Sequence, residues 1–401
     1  MNGLASVSRS GISVVVFFLL FVFLFRALVP VGDEPDWNVR TNELLDEKYP
    51  LWFPYNWTFA VSGFFDTDSR GCEINASPMS FWGSISESCF DGFEQVAKRS
   101  LITIFVVSPF LLLLIFRGFF APLLLSMNKA MSRYEYQLRL NSLGNCLVFP
   151  GVIYYLGLLS VEQFFLAASF AVFLLWGNFL IVGFLLWMLF AIDFGNAMVV
   201  TVFVLLVLGL QFSIRRIGLS LTFFVATGIL SVVYFVGFRL LTVFFDDPNA
   251  VLAGTVVAGK AEAIYEAMAL GGYREKYPAI LRPIISFMSG VFMTPTGLKS
   301  IFAYIVAVIG LYALFLRTLK RLGGIDEECR AKLGSFLTAP LLLILFFTFL
   351  IPTYANAKYY IFALPFLMYV AVSVFGSRSV FMFNIALSLS VALNIGFFWI
   401  S

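Results

Sequence analysis

The chain of 401 residues contains no histidine. The commonest general base, proton relay and transition-metal ligand is therefore missing. That argues against haem, zinc chemistry and histidine relays, and leaves any catalysis to Asp, Glu, Lys, Arg or Tyr. Charge is scarce too: 12% of residues are Asp, Glu, Lys or Arg, against roughly a quarter in soluble domains. The net charge of +3 gives no basis for a nucleic-acid partner. Four cysteines form no CxxC pair, and no internal repeat is visible.

What fills the chain instead is apolar. Hydrophobic residues make up 61% of it, 49 of them Phe. The fold class expected is an all-α polytopic membrane protein, a single integral membrane domain over residues 1–401 with about 9–11 transmembrane helices. The run from Gly11 to Pro30 matches the ~20 residues that cross a bilayer. It is too long for a signal peptide and no small-residue cleavage site follows, so an anchor is expected.

Charge placement then orients the chain. Residues 31–99 hold twelve acids against five bases, so this segment is expected outside, as a first large loop. Its aromatic content, Trp52, Tyr55, Trp57, Phe64, Phe65, Phe81 and Trp82, points to an ordered cap on the membrane surface. Cys72 and Cys89 both fall in it; an oxidising exterior would let them pair, a crosslink worth about 3 kcal/mol. Arg117, Lys129, Arg133 and Arg139 mark a cytoplasmic polar stretch, and Arg215-Arg216 another. The apolar run 164–213 between them must cross once or three times, and its length favours three. Asp193 then falls at a tight turn near a boundary. A second outer loop is expected over 246–298. It opens on Asp246-Asp247-Pro248, carries an amphipathic stretch from Ala258 to Gly271, and continues into Tyr273, Arg274, Lys276, Tyr277 and Arg282. Cations kept on the outer side point to an anionic partner there. Pro352 to Tyr360 makes a last outer turn. Cys146 and Cys329 are expected to be inert.

This arrangement gathers Asp33, Glu34, Asp36, Asp246, Asp247, Arg274, Arg282, Tyr354 and Lys358 at one face. Each has an ordinary reading. The acids at 33 and 36 solvate a helix end, Asp-Asp-Pro is a turn, and Arg282 and Lys358 anchor in headgroups. Together they also suit one chemistry. A sugar on a polyprenyl phosphate presents its phosphate at headgroup depth. Arg and Lys neutralise the departing phosphate, and a carboxylate takes the proton of the attacking hydroxyl.

A first helix that empties into Val31-Gly-Asp-Glu-Pro-Asp-Trp37, a long outer loop and many further spans resemble the GT-C class of membrane glycosyltransferases. Ala357-Lys358-Tyr359-Tyr360 followed by Leu364-Pro365 is similar to the Arg/Lys-Tyr pair found late in such chains. The resemblance implies a catalytic base at Glu34 or Asp33, less directly at Asp36. It implies substrate binding by Arg282, Lys358 and Arg274, joined by Tyr354, Asp246 and Asp247. The partner implied is a polyprenyl-phosphate-linked sugar or oligosaccharide within membrane lipid, alongside other polysaccharide-assembly proteins. No cofactor is required, though a divalent cation between acids and phosphate is compatible with the same residues. The setting implied is the periplasmic face of a bacterial inner membrane, in O-antigen or related lipopolysaccharide synthesis. Size and loop pattern also resemble the Wzy-type O-antigen polymerases. A ligase joining polymer to lipid A core is disfavoured, because that family relies on an outer-loop histidine. A flippase or exporter, the reading from another class, would place its essential polar residues at the membrane midplane.

Overall fold

The computed structural model describes residues 8–29, 37–65, 92–129, 131–246, 278, 282–294, 300–322, 324–350 and 357–400. Among these, every regular element is helical. The Ser8 hydroxyl caps α1 (Arg9–Leu28) by accepting from the Gly11 amide at 3.2 Å. Two short helices follow, α2 (Trp37–Leu45) and α3 (Trp57–Phe64), with a 3-10 turn at Pro54–Asn56 between them. The next, α4 (Phe93–Ile115), returns antiparallel to α1. The Ser8 amide donates to the Ile115 carbonyl at 3.1 Å. A Cβ on Gly11 would stand 2.1 Å from the Leu114 carbonyl oxygen, so only glycine permits this approach.

The polar stretch expected as a cytoplasmic loop is largely helical, as α5 (Arg117–Met127) and α6 (Arg133–Leu147). Arg117 and Arg139 are buried there because they find partners. The Arg117 guanidinium donates to the Asn141 side chain at 2.8 Å. Arg139 donates to the Leu174 and Trp176 carbonyls at 2.9 and 2.6 Å, satisfying the orphan acceptors at the end of α8. The segment expected outside, residues 31–99, runs into a helix at its end. Its last residues, Phe93 to Arg99, already belong to α4, where Arg99 is 1% exposed.

Pro150 has no amide hydrogen and breaks the chain between α6 and α7 (Pro150–Gly157). Inside a bilayer the freed carbonyls need donors. Two side chains of the last helix supply them: Asn384 to the Asn145 carbonyl at 2.8 Å and Ser388 to the Val148 carbonyl at 2.7 Å.

The run 164–213 becomes three helices: α8 (Val161–Leu174), α9 (Phe179–Ile192) and α10 (Phe194–Ile217). Asp193 is the turn residue between the last two. Its carboxylate accepts from the Asn196 amide at 3.0 Å and side chain at 2.8 Å. The chain continues through α11 (Leu219–Asp246), α12 (Arg282–Phe292), α13 (Ile301–Leu322), α14 (Glu327–Leu350), α15 (Leu364–Phe375) and α16 (Ser377–Ile400).

Among the described residues, six helices, α1, α4, α10, α13, α14 and α16, are long and apolar enough to cross a membrane. Shorter apolar helices lie among them. The core centres on Phe366, whose ring meets those of Phe173, Trp176, Phe203 and Phe336 at centroid distances of 5.1, 5.3, 5.1 and 4.9 Å. Those contacts join α8, α10, α14 and α15. The perimeter is apolar as well. Leu180, Phe224, Phe302 and Trp187 are exposed, a surface that hydrocarbon tolerates and water does not.

Candidate functional site

At the end of the bundle where α1 delivers the chain towards Val31–Trp37, polar side chains are packed where an apolar core would be ordinary. Arg26, in the last turn of α1, is 2% exposed. Its guanidinium lies against α7: a Cβ on Gly157 would fall 2.7 Å from the Arg26 Nε, and the Tyr154 ring centroid is 6.0 Å away. On α4, the Thr103 hydroxyl donates to the Leu156 carbonyl at 3.1 Å. The Gln163 side chain donates to Thr103 Oγ1 at 3.2 Å and also to the Leu156 carbonyl. This corner, where the chain leaves α7 and enters α8, thus ties α4 to both helices.

Next to Gln163 sits Glu162, in the first turn of α8, where a negative charge suits the positive end of the helix dipole. Lys358 reaches it: Nζ to Glu162 Oε1 is 3.0 Å, with only 22% and 21% of the two side chains exposed. The lysine comes from the 3-10 turn Ala357–Tyr359. That turn is held by aromatic packing, with the Tyr359 ring stacked on Phe347 at 5.4 Å and the Lys358 ammonium 5.6 Å from the Tyr359 ring. A partly buried ion pair is worth more than a surface one only when hydrogen bonds and packing fix its geometry, and both are present here.

A small helical cap sits beside this corner. Phe59 of α3 and Leu44 of α2 share a core with Ile102, Val106, Leu159 and Ala167 of α4, α8 and the approach to α8. Inside the cap, Arg40 donates to the Asn56 side chain at 3.0 Å and stands 3.5 Å over the Tyr49 ring. Asn56 and Trp57 in turn donate to the Pro50 and Leu51 carbonyls at 2.8 and 3.0 Å.

Of the residues expected at the site, Lys358 is placed in full, and it is joined to a carboxylate that sequence reasoning did not select. Arg282 is the first residue of α12 and Asp246 the last of α11; their side chains lie outside the described structure. So do Asp33, Glu34, Asp36, Asp247, Arg274, Tyr354 and the cysteines Cys72 and Cys89. Glu162, Arg26, Arg99 and Gln163 were missed. The available signal was a charge set inside or against an otherwise apolar run, which is costly in a membrane and so rarely idle. Among the described residues, no group of three or more Cys, Asp or Glu side chains is placed to hold a metal ion. The acids offered for a divalent cation, Asp33, Glu34 and Asp36, are not among them.

A second polar cluster occupies the opposite end. Glu135 Oε1 accepts from Arg139 Nε at 2.7 Å and from the Lys332 ammonium, and Oε2 accepts from the Tyr369 hydroxyl at 2.6 Å. It joins α6, α14 and α15, and through Arg139 the end of α8. Three donors from three helices saturate this carboxylate, so the cluster reads as a structural knot. Cys146 is fully buried on α6, and Cys329 half-buried on α14.

Comparison with protein-family models, with curated proteins and with solved structures gives no match.

Proposed function

We propose that this protein is a membrane glycosyltransferase. It takes a sugar from a polyprenyl phosphate at the periplasmic face of a bacterial inner membrane and builds or modifies O-antigen, lipopolysaccharide or a related surface polysaccharide. The observation that carries the reading is the Glu162–Lys358 pair, set with Gln163 and Thr103 in a shielded corner that also holds Arg26. The chain leaving α1 beside that corner runs straight into Asp33, Glu34 and Asp36. Cations and carboxylates at the end of an apolar bundle fit a substrate that is part phosphate, part sugar and part hydrocarbon.

In this reading the acceptor hydroxyl oxygen attacks the anomeric carbon as the bond from that carbon to the phosphate oxygen breaks. Glu34 or Asp33 takes the hydroxyl proton, and the phosphate leaves with the bonding electron pair. Lys358 and Arg282, with Arg274, hold the phosphate as its charge grows. Glu162 positions the Lys358 ammonium, so it is a positioning residue. A single displacement inverts the anomeric centre, and a product of retained configuration by NMR would rule that mechanism out.

The test is the lipopolysaccharide ladder and sugar composition of a deletion strain carrying wild type, Glu34→Gln, Lys358→Ala or Glu162→Gln. An intact ladder lacking one side-branch sugar in the variants supports a decorating transferase. Core plus a single repeat unit identifies a Wzy-type polymerase instead. Unchanged ladder and composition reject both and return the protein to the flippase or exporter class.

A further inference from the structure

An apolar cavity of about 250 Å³ runs between α12, α13, α14, α15 and α16. On α15 it is lined by Leu364, Leu367, Met368, Ala371 and Phe375. Those positions form one face of the helix, and from the first to the last the helix rises about 16 Å. The cavity is thus a slot parallel to the helices. Its outer wall is α13, contributing Ala307, Gly310, Leu311 and Leu314.

The slot results from how α13 is held. Near its start, the Tyr304 and Ser289 hydroxyls share a hydrogen bond of 3.3 Å, tying it to α12. Near its end, Arg321 donates to the Ser373 carbonyl, and Arg317 lies 5.1 Å over the Phe375 ring, tying it to α15. Between the two ties, Gly310 lets it touch α16: a Cβ there would fall 2.1 Å from the Phe383 ring. The helix is pinned at three places, and the cavity lies among its side chains and those of α14 and α15 along the stretch between them. A dry apolar cavity of this size stays empty of water and takes an apolar guest. The perimeter of this bundle is apolar, so the guest at hand is hydrocarbon.

We propose that this slot takes the isoprenoid chain of a polyprenyl phosphate whose phosphate is held at Lys358. The slot begins at Leu364, six residues after Lys358 in the same chain segment, joined to it only by the compact 3-10 turns Ala357–Tyr359 and Ile361–Ala363. One amphiphile therefore spans both, with its head in the polar corner and its tail beside α15. Phe149, Phe292 and Phe383 add aromatic rings to its lining. This inference rests on the transferase reading for the identity of the lipid, and it assigns the part of the protein that recognises tail rather than head.

The experiment measures binding of polyprenyl phosphates to the purified full chain in nanodiscs, by native mass spectrometry. A two-isoprene phosphate is compared with undecaprenyl phosphate. Ala371→Phe and Ala313→Phe each add a ring to a slot wall, one from α15 and one from α13. The expected result is at least a tenfold loss of undecaprenyl phosphate affinity in both, with binding of the two-isoprene phosphate unchanged and Lys358→Ala weakening both ligands. Full undecaprenyl phosphate affinity in both ring variants, with the Lys358→Ala loss intact, overturns the slot and leaves the transferase reading standing. Loss of a co-purifying phospholipid from the ring variants, without any change for the polyprenyl phosphates, also overturns it and assigns the slot to ordinary lipid. No binding of either phosphate to wild type rejects slot and lipid-carrier reading together.

Discussion

Lys358 and Glu135 show how little a charged residue's number in the chain says about its use. Both sit at the edge of apolar helices and both are ion-paired. Lys358 faces one carboxylate in a corner next to the chain's most acidic segment. Glu135 faces two cations and a hydroxyl at the other end. Burial alone would raise the Glu135 carboxyl, but Lys332 and Arg139, with hydrogen bonds from Lys332 and Tyr369, hold it below its ordinary value. A carboxylate whose pKa is lower folded than unfolded adds stability above the unfolded value, about 4.3. It loses that contribution as pH falls through the folded value. Glu135→Gln leaves Lys332 and Arg139 facing a neutral group and is expected to cost on the order of 3 kcal/mol near neutral pH. Thermal unfolding of both proteins in detergent checks this: the gap between them should narrow as pH drops below about 4. A gap independent of pH would mean the carboxylate is not what binds the knot.

At the scale of helices, the bundle depends on a few positions where backbone meets backbone. Gly11 lets α1 lie on α4, and Gly151 lets α7 lie on α12, where a Cβ would fall 2.3 Å from the Val291 carbonyl oxygen. Neither obstacle is a side chain that can rotate away. Gly11→Ala is expected to destabilise by roughly 1–3 kcal/mol, as overpacking does, seen as a lower unfolding temperature. Gly183→Ala serves as the control, since nothing lies within 4 Å of a Cβ there. Equal behaviour of the two variants would refute the close approach. These demands are invisible in sequence. Gly11 and Gly183 both sit in apolar helical runs, and only the partner helix distinguishes them. The α6–α7 break was half legible. Pro150 announces it, but nothing near Pro150 reveals that Asn384 and Ser388, more than two hundred positions later, supply the missing donors.

At the scale of the whole molecule, the two ends differ in charge. Arg117, Arg139, Arg215, Arg321 and Lys332 belong to one end, linked by the contacts of Arg139 to the end of α8, of Arg215 to Glu328 and of Arg321 to Ser373. The cap of α2 and α3 packs at the other. The orientation expected from the positive-inside rule puts the first end in the cytoplasm, and labelling tests it. In intact cells, a membrane-impermeant maleimide is expected to label a cysteine placed at Tyr49 and to miss one placed at Lys320 until the membrane is opened. The reverse pattern would invert the orientation and move the acidic segment to the cytoplasm.

Composition and hydropathy alone determined that the chain is a helical bundle with an apolar exterior. Satisfying every backbone group inside a bilayer leaves helices as the solution for such runs. Length favoured three segments over 164–213 without deciding between one crossing and three, and favoured a turn at Asp193; the structure has three helices there, with Asp193 capping the third. Sequence could select Lys358, a cation in a polar turn. It could not find Glu162, which lies 196 positions away, nor the slot beside α15, whose walls come from five helices. Ion pairs and cavities are properties of what packing brings together. Only the tertiary structure decided those, because their energy depends on distance in space and not on separation along the chain.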